Sequence, residues 1–298
     1  MCVTRQSVCD TPSGVAALGS AVIGEDTSVP KASRQRTSVA DLIPDRALSA
    51  RSVLASALLG ANQPQLSVAE LVMVASLFGI SGGAARTCLW RMVSNGELTS
   101  DEGTYALAGH LLERRQRVDE ASRIPDGATR RWDGTWELAV VSADRRPPTE
   151  RLELRKAATA LHLAELREGV WLRPDNLDPQ RLPTMRGVLD RQCVHFHGAA
   201  SSIAEDTVRS LFALDEWARD AKRLTSAMRA ELEATPIPDR GASFRFQFAL
   251  SVAVVRHLQL DPLLPASLTP EDWPANQLRD TYRNFDKAFK HRMYNAFR

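Results

Sequence analysis

The sequence predicts an α+β protein with three folded parts, and three observations support this. Residues 67–106 contain two helical periods followed by a short hairpin pattern. In residues 136–197, short runs with the apolar spacing of a strand are separated by a run with helical spacing. After residue 214, the apolar residues recur at helical spacing. We therefore expect a helical N-terminal part with a small hairpin, a mixed central part and an all-helical C-terminal part.

Composition limits the classes of protein to which the chain can belong. With 298 residues and 44% hydrophobic content, it can bury a substantial core. The formal net charge is only +2, so any surface that binds nucleic acid must be local. The cysteines are widely spaced, which favours a reduced cytoplasmic setting over disulfides or zinc. No apolar run approaches the roughly 18 residues of a membrane span.

The N-terminal part begins with two amphipathic helices and a turn. Residues 48–59 carry apolar side chains at helical spacing. Ser67 is placed to cap a second helix over Val68–Leu77, and Glu70 completes a capping box. Residues 79–80 then form a tight turn into a third helix. This spacing predicts a helix-turn-helix.

The third helix, residues 81–95, carries an outward polar stripe. Its apolar positions recur at helical spacing and predict a buried face. One helix fills a DNA major groove of roughly 12 Å width, and a helix N-terminus attracts a phosphate. The predicted DNA-binding residues are Ser81, Gly82, Arg86, Thr87, Trp90 and Arg91. The alternative is an ordinary surface helix whose arginines are only solvated.

A hairpin and a charged helix complete this part. Short strand patterns flank Asp101-Glu102-Gly103 and predict the wing of a winged helix-turn-helix. In the helix predicted over 108–122, acidic residues balance the arginines, which favours a solvated linker over a DNA clamp. Proline and glycine at 124–131 mark a boundary. The predicted parts are a disordered tail (1–40), a winged helix (41–123), a central unit (130–204) and C-terminal helices (205–298).

The central and C-terminal parts follow from the same patterns. Their predicted elements are strands at 136–141, 169–172 and 192–197, and helices at 151–166, 206–214, 214–234, 244–258 and 277–297. The order strand, helix, strand, strand, helix favours a ferredoxin-like α+β unit in the centre. The C-terminal helices are suited to forming a dimer or a ligand site, although packing alone also explains them.

Four stretches, in this order, resemble the PaaX family of bacterial repressors, typified by regulators of phenylacetic acid catabolism. They are GISGGAARTCLWRMVSNGEL (79–98), WDGTWELAVV (132–141), GVWLRPDNL (169–177) and DPLLPASLTPEDWP (261–274). The resemblance implies a winged helix, a ferredoxin-like domain similar to a CRISPR adaptation nuclease subunit, and a helical end domain. It also implies a homodimer on palindromic operator DNA, with aryl-acetyl-CoA thioesters as inducers.

Two features depart from what this family would favour. The wing tip is acidic at Asp101 and Glu102, where a wing that contacts phosphates would carry Lys or Arg. Trp90 lies on the outward face, where smaller residues are usual, so the operator sequence is expected to differ. The acidic wing also leaves open an interaction module that has lost DNA binding.

An acyl-CoA effector needs cations for its phosphates and an apolar slot for its acyl group. Arg155, Trp171 and Arg173 are the effector-binding candidates. The alternative interpretation makes Trp171 a core residue and Arg173 a charge at a strand end.

The predicted function is a dimeric, ligand-responsive transcriptional repressor, which is not an enzyme and needs no cofactor or metal. Its expected partners are double-stranded operator DNA, a small-molecule effector and a second copy, with no membrane; it is cytoplasmic and nucleoid-associated when bound to DNA. The alternative is a metal-dependent nuclease built on the central unit, with Asp144 after the first strand. His195 and His197 share one strand face, but no third ligand lies near them in the sequence.

Overall fold

The computed structural model describes residues 49–61, 63, 65–122, 129–142, 145–199, 203–234 and 240–296. They form an α+β protein in which helices predominate and the two sheets are small and antiparallel. The predicted tail (1–40) and Asp144 lie outside the described residues. None of the described helices is long and apolar enough to cross a membrane.

The N-terminal part follows the predicted order of elements. They are α1 (Ala50–Gly60), β1 (Gln65–Ser67), α2 (Val68–Leu77), α3 (Gly82–Ser94), β2 (Leu98–Asp101), β3 (Thr104–Leu107) and α4 (His110–Ser122). Ser67 and Glu70 form the predicted capping box, and the Ser81 hydroxyl accepts from the Ala84 N–H. The short strand β1 was not predicted, because three residues are too few to show the alternation of apolar and polar side chains typical of a strand. It pairs with β3 and gives the sheet order β1-β3-β2.

Three helices and the sheet share one apolar core. Leu54, Leu71 and Leu89 are fully buried where α1, α2 and α3 meet. Leu98 and Leu107, at the open end of the β2–β3 hairpin, join the same cluster. The hairpin is therefore fixed to the helices at its base.

The central part contains a four-stranded sheet. Its elements are β4 (Thr135–Val141), α5 (Pro148–Ala160), β5 (Ala164–Arg167), β6 (Val170–Pro174), α6 (Pro183–Gln192) and β7 (Cys193–Ala199). The strands lie in the order β5-β6-β4-β7, and every neighbouring pair is antiparallel. Helices α5 and α6 pack on one face, around Leu154, Leu161 and Leu189.

Two predictions for this part were wrong. The predicted helix 151–166 ends at Ala160, since His162 has a φ of +57°, and the residues after it form β5. β5 is a mostly exposed edge strand, so it lacks the alternation by which strands are found. Helix α6 was missed because its polar sequence has little apolar period, although Pro183 suits a first helical turn.

The C-terminal part consists of α7 (Glu205–Leu211), α8 (Leu214–Glu233), α9 (Arg240–Leu258) and α10 (Ala275–Ala296), with one 3-10 turn at Ala266–Leu268. Its core lies between the three long helices, around Leu224, Leu250 and Phe285. The Trp217 ring stacks on those of His257 and Trp273, with centroids 4.6 Å apart in each case. This stack attaches the turn before α10 to α8.

Helix α4, the last element of the N-terminal part, contacts α1 and also residues of the central and C-terminal parts. Near its middle, Arg115 Nη1 donates to the carbonyls of Leu59 (3.0 Å) and Ala61 (2.7 Å) at the end of α1. Near its end, the buried Glu120 pairs at 2.5 Å with Arg181, which precedes α6. The next carbonyl, that of Ala121, accepts from Arg279 Nε on α10 at 3.0 Å.

Gly109 occupies the tight connection between β3 and α4. Its φ is +51°, and a Cβ built on it would lie 2.6 Å from the Gly96 carbonyl oxygen. We expect Gly109→Ala to lower the free energy of unfolding by about 1–3 kcal/mol, measured by urea denaturation. Gly60→Ala is the control, because nothing lies within 4 Å of its added Cβ. Equal stability of the two variants would contradict this account of the turn.

The Glu120–Arg181 ion pair predicts a non-additive effect on stability. Arg181→Met leaves a buried carboxylate without its partner, which costs about 3–5 kcal/mol. The double variant Arg181→Met/Glu120→Leu is expected to lose less than Arg181→Met alone, because no unpaired charge remains. Arg130→Ala, which breaks the exposed pair of Arg130 with Asp175, is the control and costs about 1 kcal/mol at most. A double variant less stable than Arg181→Met would refute the assignment.

Candidate nucleic-acid interface

Helix α3 buries one face and exposes the other, as its period predicts. Ala85, Leu89 and Met92 lie in the core, fully or almost fully buried. The four predicted DNA-binding residues of the opposite stripe, Arg86, Thr87, Trp90 and Arg91, are all exposed. Trp90 has 68% of its surface exposed, which is unusual for so large an apolar side chain. The outward stripe is therefore available to a partner.

The two arginines of this stripe are available for external contacts. The side chains of Arg86 and Arg91 form no hydrogen bond or ion pair with any residue that the structure describes. The Thr87 hydroxyl donates to the Gly83 carbonyl at 3.0 Å, so its oxygen lone pairs remain available. A planar guanidinium donates to guanine edges or to phosphates. The stripe thus presents two cations, an indole and a hydroxyl on one helix face.

The first turn of α3 combines a cap with a close approach. Ser81 and Gly82 lie where the unpaired N–H groups of a helix are found. A Cβ at Gly82 would lie 3.3 Å from Val72 Cγ1 on α2 and 3.1 Å from Arg86 Nη1. Glycine at this position therefore lets α3 approach α2 closely and lets the Arg86 side chain lie over the first turn.

The hairpin next to α3 ends in an acidic tip. Glu102 and Gly103 have φ values of +43° and +78°, as a two-residue type I′ turn requires. The Gly103 carbonyl accepts from the Val68 N–H at 2.8 Å, which fixes the tip beside the start of α2. Asp101 and Glu102 are exposed. Their negative charges would repel phosphates, so the chemistry of the tip disfavours contact with a DNA backbone.

An ion pair joins α1 to the chain just before the hairpin. Arg51 Nε donates to both oxygens of Glu97, at 2.9 and 3.1 Å, and Arg51 Nη2 donates at 2.5 Å. Hydrogen bonding from Arg51 lowers the pKa of Glu97 below its ordinary value. The Glu97 carbonyl also accepts from the Ala108 N–H at 2.8 Å. The orientation of the hairpin relative to the helices thus depends partly on this pair.

The three effector candidates do not form one surface. Trp171 lies in the core between the sheet and α5. Arg173 is fully buried and donates to the Leu161 and Pro174 carbonyls and to Asn176 Oδ1. Burial lowers the pKa of Arg173 to about 9, so it stays charged at neutral pH. Only Arg155 is exposed. The alternative interpretation of Trp171 as core fits these positions, and Arg173 is a buried structural cation rather than a charge at a strand end.

Each histidine of the pair lies beside carboxylates. His195 Nδ1 lies 3.4 Å from Glu137 Oε1, and His197 Nδ1 lies 3.0 Å from Asp175 Oδ2. Within the described ranges, no group of three or more His, Cys, Asp or Glu side chains is arranged to hold a metal ion. The nuclease hypothesis rests on Asp144, outside the described residues, and gains no support from this part of the chain.

Comparison with protein families identifies the class. Family descriptions read "PaaX-like protein" for residues 49–111, "PaaX protein central Cas2-like domain" for 129–209 and "PaaX-like protein C-terminal domain" for 212–297. A solved structure, the uncharacterized protein Rv0674 from Mycobacterium tuberculosis, is similar, with 35% sequence identity and a TM-score of 0.61. The match covers 82% of this chain and 97% of that one. No protein with a curated description matches.

The chain is an α+β protein, and the three family descriptions match its N-terminal, central and C-terminal parts in turn. It belongs to the PaaX family of transcriptional regulators.

The stretches that carry the resemblance have structural roles. Asp261 pairs with Arg279 at 2.7 Å, and both side chains are buried. Trp273 stacks on Trp217. In the central part, Asn176 receives a hydrogen bond from Arg173 and donates to the Leu263 carbonyl at 2.9 Å. Two of these contacts lie within the C-terminal part, and the bond from Asn176 to Leu263 joins the central part to it. All of these residues are far in sequence from the exposed stripe of α3.

The sequence analysis missed a group of arginines that the fold brings together. Arg114 and Arg117 are half-buried on α4, whereas their helix was predicted to be solvated. Arg256 on α9 lies near enough to Arg114 to lower its pKa, to which burial contributes most. The sequence signal for this group was the i, i+3 spacing of Arg114 and Arg117, which places both side chains, with the apolar Val118, on one side of α4.

The Arg51–Glu97 pair predicts a pH-dependent stability. Glu97→Gln is expected to lower the free energy of unfolding by about 1 kcal/mol at pH 7, since Arg51 is partly solvated. The ordinary pKa of the carboxyl is 4.5 and the folded value is lower. The contribution is therefore complete above about pH 5 and is lost as pH falls through the folded pKa, because the unfolded chain binds the proton first. Urea denaturation from pH 7 to 3 measures this.

Glu102→Gln at the exposed tip of the β2–β3 hairpin is the control for this experiment, since Glu102 forms no ion pair with a described residue. Its free energy of unfolding should equal that of the unsubstituted chain across the pH range. A difference for Glu97→Gln that persists undiminished at pH 3 would show that the ion pair is not its cause.

Proposed function

We propose that the chain is a ligand-responsive transcriptional repressor that binds operator DNA through α3. The exposed stripe of Arg86, Thr87, Trp90 and Arg91 is the single observation that carries this proposal. Two arginines without intramolecular partners, one exposed indole and a hydroxyl are the chemistry that a helix in a major groove uses.

The N-terminal part is interpreted as a winged helix-turn-helix, with α2 and α3 as the two helices and the β2–β3 hairpin as the wing. Arg86 and Arg91 contact guanine edges or phosphates, and Trp90 contacts a thymine methyl or a sugar. Ser81 and Gly82 offer N–H groups to a phosphate. Because the wing tip is acidic, DNA contact depends on α3 rather than on the wing.

The proposed assembly is a homodimer on a palindromic operator. The order strand, helix, strand, strand, helix, strand in the central part supports a ferredoxin-like unit. Its edge strand β7 exposes Val194 and Phe196, by 49% and 56%, which offers an apolar surface and unpaired backbone groups to a second copy. Two copies related by a dyad would present two α3 helices to successive half-sites.

Release from DNA is proposed to follow binding of a small catabolite such as an aryl-acetyl-CoA thioester, as the family resemblance implies. The ligand must bind the conformation that does not fit the operator more tightly than the one that does. Differential affinity is the only thermodynamic means by which it can shift the equilibrium.

The test is the affinity of α3 variants for two duplexes. The first is the fragment that the protein protects upstream of its own gene, and the second is its scrambled sequence. A base contact is worth about 1–3 kcal/mol, so Arg86→Ala or Arg91→Ala is expected to weaken operator binding by about tenfold to 100-fold. A phosphate contact weakens both duplexes equally, and fluorescence anisotropy at fixed salt separates the two roles.

Arg219→Ala is the matched control. Arg219 is exposed on α8 and has no ion pair with a described residue, so its removal changes the net charge equally without altering α3. Its affinity for both duplexes should match that of the unsubstituted chain. If Arg86→Ala and Arg91→Ala also match it on both duplexes, α3 is not the DNA-binding surface.

A further inference from the structure

A large apolar cavity lies between the N-terminal helices and the C-terminal helices. Its volume is about 800 Å³, within the range of small-molecule sites. Helices α1, α2, α4, α9 and α10 all contribute to its wall. The apolar lining includes Leu66, Met73, Val74, Phe248, Val252 and Phe289. Such a surface accommodates an aliphatic or aromatic group.

Two arginines line this cavity and a third lies beside it. Arg114 and Arg256 line it, and Arg117 lies one helical turn after Arg114. None of the three side chains forms an ion pair or hydrogen bond with a residue in the described ranges. The carboxylates of the cavity wall are already engaged: Glu70 in the capping box of α2, and Asp286 with Lys290 at 2.6 Å. The wall therefore carries uncompensated positive charge.

This arrangement is unfavourable for the empty protein. Burial lowers the pKa of Arg114, and the nearby Arg256 and Arg117 lower it further. Burial also lowers the pKa of Arg117, although the carboxylates of Glu113 and Glu120 partly oppose this effect. The other buried arginines of the chain are treated differently. Arg173, Arg181 and Arg279 all donate to carbonyls, and each also donates to an amide or carboxylate oxygen. A half-buried arginine, Arg114, and an exposed one, Arg256, lie close together beside an apolar cavity, and this arrangement points to an anionic ligand.

A second, basic cleft adjoins the cavity, and Arg256 and Gln259 line both. The cleft has a volume of about 620 Å³. Its cations are Arg117, Arg155, Lys156, Arg181, Arg256 and Arg279. Arg279 is buried, and its Nη1 has no hydrogen-bond partner among the described residues. Arg155, one of the effector candidates of the sequence analysis, thus lies here rather than beside Trp171.

We propose that the cavity bordered by Arg114 and Arg256 is the effector site, and that its ligand is an anion with an apolar body. The apolar body lies between α2 and α9, and the anionic end reaches the arginines and the basic cleft. This inference rests on the proposed function, because it places the ligand of a ligand-responsive regulator.

The position of the cavity gives the ligand a route to the DNA-binding helix. Ala69, Met73 and Val74 of its wall belong to α2, which packs on α3 through the close approach of Val72 to Gly82. A ligand wedged between α2 and α9 displaces α2 from the C-terminal helices, and α3 moves with α2. Release of DNA follows when this displaced arrangement no longer fits both half-sites.

The test is isothermal titration of the full chain with phenylacetyl-CoA, phenylacetate and CoA. Arg256→Glu is expected to lower affinity for phenylacetyl-CoA at least tenfold, while its melting temperature is unchanged or higher, because the repulsion of Arg114 is relieved. Ala69→Trp, which fills the cavity from α2, is also expected to lower affinity at least tenfold. Arg219→Glu and Ala230→Trp, both on exposed positions of α8, are the matched controls.

The three probes separate the two sources of anionic charge. Tighter binding of the thioester than of phenylacetate supports a role for the basic cleft, whereas equal binding assigns the anion to Arg114 and Arg256 alone. The proposal is overturned if none of the probes binds, if CoA binds as tightly as its thioester, or if Arg256→Glu and Ala69→Trp bind like their controls. The titration uses no DNA, so its outcome is independent of the operator-affinity experiment. The effector site can be refuted while the α3 variants still lose operator affinity, and the α3 assignment can be refuted while the ligand still binds.

Discussion

The geometry of this protein depends on the hydrogen bonds that helix α4 forms on both of its sides. The last carbonyls of a helix have no partner within it, and Arg115 satisfies those of α1. Asp119, one turn later, holds the Arg115 guanidinium in place. At the end of α4, Glu120 and the Ala121 carbonyl bind arginines of the central and C-terminal parts. One helix of 13 residues therefore sets how the three parts meet.

The buried arginines show how the same residue type serves two purposes. Arg173, Arg181 and Arg279 satisfy buried carbonyls, and the forked guanidinium suits that role better than a lysine would. Arg114, Arg117 and Arg256 border an empty volume without such partners. Stability explains the first group, since each bond satisfies a buried group. It does not explain the second, in which Arg114 and Arg117 are half-buried without a bond of this kind.

Local signals predicted the N-terminal part well. Capping by Ser67 and Ser81 and the glycine after Asn95 are contacts within one or two turns, so the residues that specify them lie close together in sequence. The exposed stripe of α3 follows from helical period alone. Elements whose stability comes from distant partners were harder to predict. Strand β5 is held by β6 and helix α6 by α5, and neither element shows a regular spacing of apolar residues.

Two of the three effector candidates, Trp171 and Arg173, are buried for a related reason. Trp171 and Arg173 were selected by residue type on one predicted strand, but side chains on a central strand are buried by the helices above it. The cavity between α2 and α9 combines residues that lie almost two hundred positions apart in the chain, such as Met73 and Val252. Pattern analysis over a window of one or two dozen residues cannot detect such a juxtaposition.

The exposure of Trp90 has an optical consequence. The other five tryptophans are buried or half-buried, whereas most of the Trp90 indole is open to water. A neutral collisional quencher such as acrylamide reaches an excited indole only through solvent, so the readily quenched fraction of the intrinsic fluorescence comes mainly from this one ring. Intrinsic fluorescence of the unlabelled protein therefore reports on this helix, because a partner that covers that side of α3 reduces the quenching of Trp90 by acrylamide.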